Sequence, residues 1–129
     1  MPELKKYKMF IGGEWLDSDT KKTFETLNPE NNKPWANVPE ASASDVDKAV
    51  KAAQKAFEGE WPKLLPRERG KFLRAIGNKL RENAELLGRI ETIDTGKIFR
   101  ETNQQANYIA EYYDYYAGLA DKVEGTVLP

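Results

Sequence analysis

The stretch YIAEYYDYY, Tyr108 to Tyr116, holds five of the chain's six tyrosines and nothing that breaks a helix. At about 100° per residue, Ile109, Tyr113, Tyr116, Ala120 and Val123 fall along one stripe. Tyr112 and Leu119 lie at its edge, and Tyr108 and Tyr115 lie round the side. Two apolar sectors predict contact on two sides. Two neighbouring helices and a small hairpin can cover one. The second needs a further layer or another molecule, because contiguous exposed aromatic surface is uncommon in a soluble monomer. The alternative is that the rings snorkel, bodies against the surface and hydroxyls in water.

Working outward, the helix pattern extends back to residue 42. Ser44 reads as an N-cap, Asp45 and Asp47 complement the dipole of the first turn, and Val46, Ala49, Val50, Ala53, Ala56 and Phe57 form one apolar stripe ending near Gly59. Trp61 and Pro62 make a link. Pro66 fits the first turn of a second helix, whose Phe72, Leu73, Ile76 and Leu80 share a face. The basic residues opposite, Arg67, Arg69, Lys71, Arg74, Lys79 and Arg81, are diluted by Glu68 and Glu82 and read as solvated surface more readily than as a phosphate patch. Asn83 caps a restarted helix carrying Leu86, Leu87 and Ile90. Gly96, after Asp94 and Thr95, can take the left-handed conformation that ends it.

The first forty residues follow a shorter period. Tyr7 to Ile11 and Glu14 to Leu16 flank Gly12-Gly13, a pair suited to a two-residue hairpin turn. Thr23 to Leu27 is a further strand, ended by Asn28-Pro29 and the polar run to Lys33, and Trp35 to Val38 returns from that turn. The prediction is therefore short strands over residues 1–40 and three or four helices over 42–125.

Composition restricts the chemistry. The chain has 129 residues with no cysteine and no histidine, which removes disulfides, thiol nucleophiles, the usual zinc sites and the ordinary general base at neutral pH. Twenty basic against 21 acidic residues leave a net charge of -1, so no overall field draws in nucleic acid or an anionic membrane. MPELKKYKMF lacks the apolar run of a signal peptide, and no window approaches a membrane span, which makes a cytoplasmic setting the default expectation. Thr95-Gly96-Lys97 is not a phosphate loop. Glu91 stands where the first glycine belongs, and Ile98 where the magnesium-binding hydroxyl belongs. A G-x-G-x-x-G turn is also absent. No catalytic and no cofactor-binding residue is assigned within these 129 residues.

Five segments in order carry a resemblance: Phe10-Ile11-Gly12-Gly13-Glu14-Trp15, Thr26-Leu27-Asn28-Pro29, Asp45-Val46-Asp47-Lys48-Ala49-Val50, Glu91-Thr92-Ile93-Asp94-Thr95-Gly96-Lys97, and Tyr115-Tyr116-Ala117-Gly118-Leu119-Ala120-Asp121-Lys122. Together they resemble the N-terminal part of the NAD(P)-dependent aldehyde dehydrogenase superfamily, from about residue 8 to Pro129. Each segment alone is weak; their order and spacing are specific. The resemblance implies an α/β enzyme of which residues 1–129 are the opening part of the coenzyme-binding domain. It also implies NAD or NADP as cofactor, an aldehyde as substrate and a homo-oligomer.

Family members use a cysteine nucleophile and a glutamate that activates water. Those parts, with the oligomerisation elements, are expected in the remainder of the polypeptide, and the 129 residues alone are expected to be inactive. By match, Thr26, the Leu27 carbonyl and Asp94 help hold Na+ or K+, although Asp94 can equally be a turn residue capping its own backbone. Tyr108 and Tyr112 match the helix bordering the substrate tunnel, and Tyr115 and Tyr116 match packing positions. A free-standing, non-catalytic interaction module associating through the tyrosine-rich helix is the alternative.

Overall fold

The structure, a computed structural model, describes residues 4–127. Five strands come first: β1 (Lys5–Lys6), β2 (Met9–Ile11), β3 (Glu14–Leu16), β4 (Thr23–Asn28) and β5 (Lys33–Pro39). Four α-helices follow among the described residues: α1 (Ala43–Glu58), α2 (Pro66–Glu82), α3 (Ala84–Thr95) and α4 (Phe99–Leu119), with a 3-10 turn at Trp61–Lys63. The predicted sequence of short strands and then helices is what forms. None of these helices is long and apolar enough to cross a membrane. The chain divides into two compact units. One comprises the residues through Lys63 together with Ile93–Gly96; the other comprises Leu64–Thr92 with the residues from Lys97 on.

In the first unit β2 and β3 form the expected antiparallel hairpin, with Phe10 opposite Trp15 and both turn glycines at positive φ, 62° and 91°. A Cβ at either would be strained there, which is why the turn uses glycine. The two rings meet at 4.9 Å, the cross-strand contact that fixes a hairpin's register. A separate three-stranded sheet runs β1-β5-β4, with β1 parallel to β5 and β4 antiparallel to it. Gly96 ends α3 at φ 75°, as its position predicts. A Cβ there would also come within 3.0 Å of the Pro29 ring.

The N-terminus of α1 corrects the expectation for Ser44. Ser42 is the cap: its hydroxyl accepts from the Asp45 amide at 3.2 Å, while the Asp45 carboxylate accepts from the Ser42 amide at 2.9 Å. This reciprocal box satisfies two of the donors left over at a helix start. Both serines suit a cap, and a distant loop decides between them. Asp45 also accepts from the Ser18 hydroxyl at 2.9 Å and the Asp19 amide at 3.2 Å, whereas Ser44 is turned outward to donate to Asp19.

The second unit is built on small residues. A Cβ at Gly70 would lie 2.8 Å from the Ala117 carbonyl, and one at Gly77 would lie 3.1 Å from that of Ala110. As numbers rise along α2 they fall along α4, so the two helices run antiparallel at close range. Likewise a Cβ at Gly88 of α3 would strike the Asn103 backbone at 2.8 Å. Thr102, fully buried, donates to the Gly88 carbonyl at 2.9 Å and lies 2.9 Å from the Thr92 hydroxyl. Asn83 ends α2, and its carbonyl accepts from Leu87 at 2.9 Å, so one residue serves both helices.

Several predicted core stripes are not where burial falls. Among the described residues the buried apolar side chains are alanines, Ala36, Ala84, Ala106, Ala110 and Ala117, whereas Val46, Val50 and Phe57 of α1 and Phe72 and Ile76 of α2 are exposed. On α4 the buried line is Thr102, Ala106, Ala110 and Ala117, with Tyr113 half-buried; Tyr116, expected inward, is 57% exposed. Val123, placed on the same stripe by periodicity, lies past the helix end at Leu119. For α2 and α4 the physical reason is backbone proximity. Where glycine faces alanine the helices approach closely and large side chains are displaced to other faces.

Candidate functional site

In the first unit the structure brings together two of the three residues expected at a cation site. The Thr26 hydroxyl of β4 donates to Asp94 Oδ1 at 2.7 Å, and the Trp35 indole N–H of β5 donates to the same oxygen at 3.3 Å. Asp94 is thus held by two strands and does not merely cap its own turn. Leu27 is adjacent, at a register irregularity between Thr26 and Leu27, and its strand partner is Pro34. Proline has no N–H to offer a carbonyl, and bulges re-aim the groups beside them.

The oxygens brought together are a carboxylate and a hydroxyl that donates to it. One formal charge beside a neutral oxygen would suit a hard monovalent ion better than a divalent one. Among the described residues no cluster of three or more His, Cys, Asp or Glu side chains has metal-binding geometry. Trp35 was not foreseen at this site; its contact with Asp94 spans 59 residues and leaves no local signal.

Also in this unit, Asp45 is 2% exposed and lies at the centre of a hydrogen-bond cluster. Hydrogen bonding from the Ser42 amide, reinforced by the Ser42 and Ser18 hydroxyls and the Asp19 amide, holds its carboxyl down at about 2 against the opposing effect of burial. Lys48 pairs with Asp19 and lies 3.9 Å from Asp45. The Asp19 carboxylate raises the lysine above its ordinary value. The cluster has every carboxylate oxygen occupied and fits a structural latch.

In the second unit four of the α4 tyrosines, Tyr108, Tyr112, Tyr115 and Tyr116, are outward. Tyr108 and Tyr112, one turn apart on α4, place their hydroxyls 2.7 Å from each other and their rings at 4.9 Å and 83°. The shared hydrogen bond holds the Tyr112 phenol above its ordinary value, so it stays neutral. Tyr115 and Tyr116 meet at 5.3 Å, again at 83°. The four rings and Glu111 line an open groove of about 290 Å³. Glu111 was not singled out in the sequence, although its spacing of three and four from Tyr108 and Tyr115 places it between them.

Comparisons with known proteins bear on the fold and the family. The profile of the Aldehyde dehydrogenase family matches residues 15–129. The chain is 42% identical over 127 residues to a (Z)-2-((N-methylformamido)methylene)-5-hydroxybutyrolactone dehydrogenase of Acinetobacter baylyi, covering 98% of this chain and 26% of that protein. It is 39% identical over 121 residues to betaine aldehyde dehydrogenase of Bacillus subtilis, covering 93% and 25%. Among solved structures it superposes on an NAD-dependent aldehyde dehydrogenase from Sinorhizobium meliloti with TM-score 0.90 at 31% identity, covering 96% of this chain and 25% of that one. A betaine aldehyde dehydrogenase mutant from Staphylococcus aureus, solved with NAD+, gives 0.87 at 40% identity, covering 95% and 25%. The fold is that of the aldehyde dehydrogenases, and the chain belongs to the aldehyde dehydrogenase family. It spans about a quarter of the length of the relatives it matches.

Proposed function

We propose that this chain serves as the opening part of the coenzyme-binding domain of an NAD(P)-dependent aldehyde dehydrogenase, which oxidises an aldehyde to a carboxylic acid as a homo-oligomer. The observation that carries the reading is the match to an NAD-dependent aldehyde dehydrogenase along 96% of the chain at TM-score 0.90. The nicotinamide coenzyme would take the hydride from the substrate carbon. The residues of this chain bind and shape. Having no cysteine, they do not supply the thiol nucleophile of such a reaction, and on their own they are inactive.

Two roles follow for named residues. Thr26, the Leu27 carbonyl and Asp94 hold a Na+ or K+ ion; the 2.7 Å contact between Thr26 and Asp94 supports this, since the two already share one point in space. Tyr108 and Tyr112 border the passage by which the aldehyde enters, and their exposure and fixed mutual geometry support that placement. Exposed Val46, Val50, Phe57, Phe72 and Ile76 are surfaces for further protein of the same subunit. The same exposure of the tyrosine-rich helix is the one feature that favours a non-catalytic interaction module instead.

The test is to follow NAD+ or NADP+ reduction by the intact protein with a panel of aldehydes while K+ or Na+ is titrated. The reading expects aldehyde-dependent reduction, and an Asp94→Asn variant needing at least several-fold more cation for the same effect on stability or rate. Absence of nicotinamide reduction with every aldehyde would contradict the enzymatic reading. Activity that ignores the cation in both proteins would contradict the cation site alone.

A further inference from the structure

We infer that Trp35 is a positioning residue for the cation site proposed above: its indole N–H, delivered by a bulge in β5, holds one oxygen of Asp94 so that the other is left to meet the ion. The strand register shows how the ring gets there. Thr26 pairs with Ala36 and Leu27 with Pro34, so β5 has one more residue than β4 at this step, and Trp35 has no partner in the ladder. Residues directly opposite each other in a sheet share a face, and neighbours along a strand alternate between faces. Ala36 therefore shares the face of Thr26, and in a regular strand Trp35 would point to the other one. Its indole N–H instead reaches the same Asp94 oxygen as the Thr26 hydroxyl, at 3.3 Å and 2.7 Å respectively. Re-aiming a side chain in this way is a known use of bulges.

The ring is itself braced. Tyr7 stands edge-on to it at 6.0 Å and 79°, and the Tyr7 amide donates to the Asn37 carbonyl of the same strand at 3.0 Å. Both donors to Asp94 end on Oδ1, and among the described residues no hydrogen bond is made to Oδ2. The donors come from two neighbouring strands, so the carboxylate cannot turn about its stem without breaking both bonds. Thr26 gives its single proton to Asp94 and keeps its lone pairs for a cation, whereas an indole N–H is a donor only. Trp35 is therefore no ligand, and it acts through Asp94. Outer partners of this kind fix a ligating group in place, and their loss weakens metal binding.

The assignment rests on the cation role proposed for Asp94, and the test keeps the two apart. The intact protein is titrated with K+ and, separately, with Na+ at constant ionic strength, and the midpoint is read from the rise in Tm. Trp35→Phe keeps an aromatic ring but removes the N–H, and should raise that midpoint roughly 10-fold. In an Asp94→Asn background the same change should shift the cation response no further, whereas a ring that only packs would lower Tm alike with and without the ion. In protein labelled with 5-fluorotryptophan, the fluorine resonance lost in Trp35→Phe should move saturably with the ion, and should stay still in Asp94→Asn. Tyr7→Leu leaves the N–H but removes its brace, so it should raise the midpoint by less, and it decides the matter should Trp35→Phe fail to fold. No saturable effect of either ion on the unaltered protein would overturn the cation site and this inference with it. Saturable binding whose midpoint is unmoved or lowered by these substitutions would overturn the positioning role alone.

Discussion

The two units of this chain are held together by different means. In the first, carboxylates join distant segments: the buried Asp45 accepts from Ser18, Asp19 and Ser42, and the exposed Asp94 accepts from Thr26 and Trp35. In the second, the closest contacts are between backbones. Gly70, Gly77 and Gly88 let helices approach to distances at which any Cβ would press on a carbonyl or an amide. A unit fastened through carboxylates is sensitive to protonation; one fastened through missing side chains is sensitive to added volume. The same contrast leaves large apolar residues over on both units, since neither fastening uses them, and makes them available as contact surface.

The largest effect is expected where volume meets backbone. Gly88→Ala places a methyl 2.8 Å from the Asn103 amide and Cα, atoms that move only if α3 and α4 separate. Overpacking of this kind costs about 3 kcal/mol, more than the roughly 1 kcal/mol that alanine returns in helix propensity. Chemical denaturation of the variant should show the loss. Thr102→Val comes next. It keeps the shape but removes the hydroxyl that serves the Gly88 carbonyl and meets Thr92, and leaving buried partners unmatched should cost about 1–2 kcal/mol. Both changes should leave the Asp45 cluster undisturbed, which amide exchange of the Asp19 and Ser42 N–H groups would report.

In the first unit Ser42→Ala removes one half of the capping box and should cost about 1 kcal/mol. Ser44→Ala should cost less, because Ser44 only donates to Asp19 at the surface. Equal losses for the two serines would break the assignment of the cap. The smallest effect is a gain. Gly118, near the end of α4, has nothing within 4 Å of a would-be Cβ, so Gly118→Ala should stabilise by about 0.5 kcal/mol. A loss there as large as at Gly88 would mean that the glycines of this unit do not act through proximity.

Legibility in the sequence followed the range of the interaction. Gly12-Gly13, Pro66 and Gly96 were readable because a turn, a first helical turn and a left-handed stop are each decided within a few residues. The cap at Ser42 was missed by two residues because Ser42 and Ser44 are locally equivalent, and only Ser18 and Asp19 distinguish them. Asp45 was read as a first-turn charge, which it is. Nothing nearby signals that it is also buried and tied to a loop 27 residues earlier. Periodicity weighted by hydrophobicity favoured the tyrosines, valines and Phe72, and the helices packed through glycine, alanine and threonine, residues that such weighting hardly sees. At the candidate cation site Thr26 and Asp94 came from resemblance alone, and the structure places them in contact.

Amide exchange followed residue by residue at about pH 7 and again at about pH 2 tests the contrast between the units most directly. Asp45 has its folded value depressed to about 2, so its contribution is fully present well above the ordinary carboxylate range and is lost as pH falls through about 2. The account predicts that acid removes protection first from Asp19, Ser42 and the first turn of α1, while the amides of α4 facing Gly70, Gly77 and Gly88 keep theirs. Simultaneous loss in both units, or loss beginning at the glycine contacts, would contradict it.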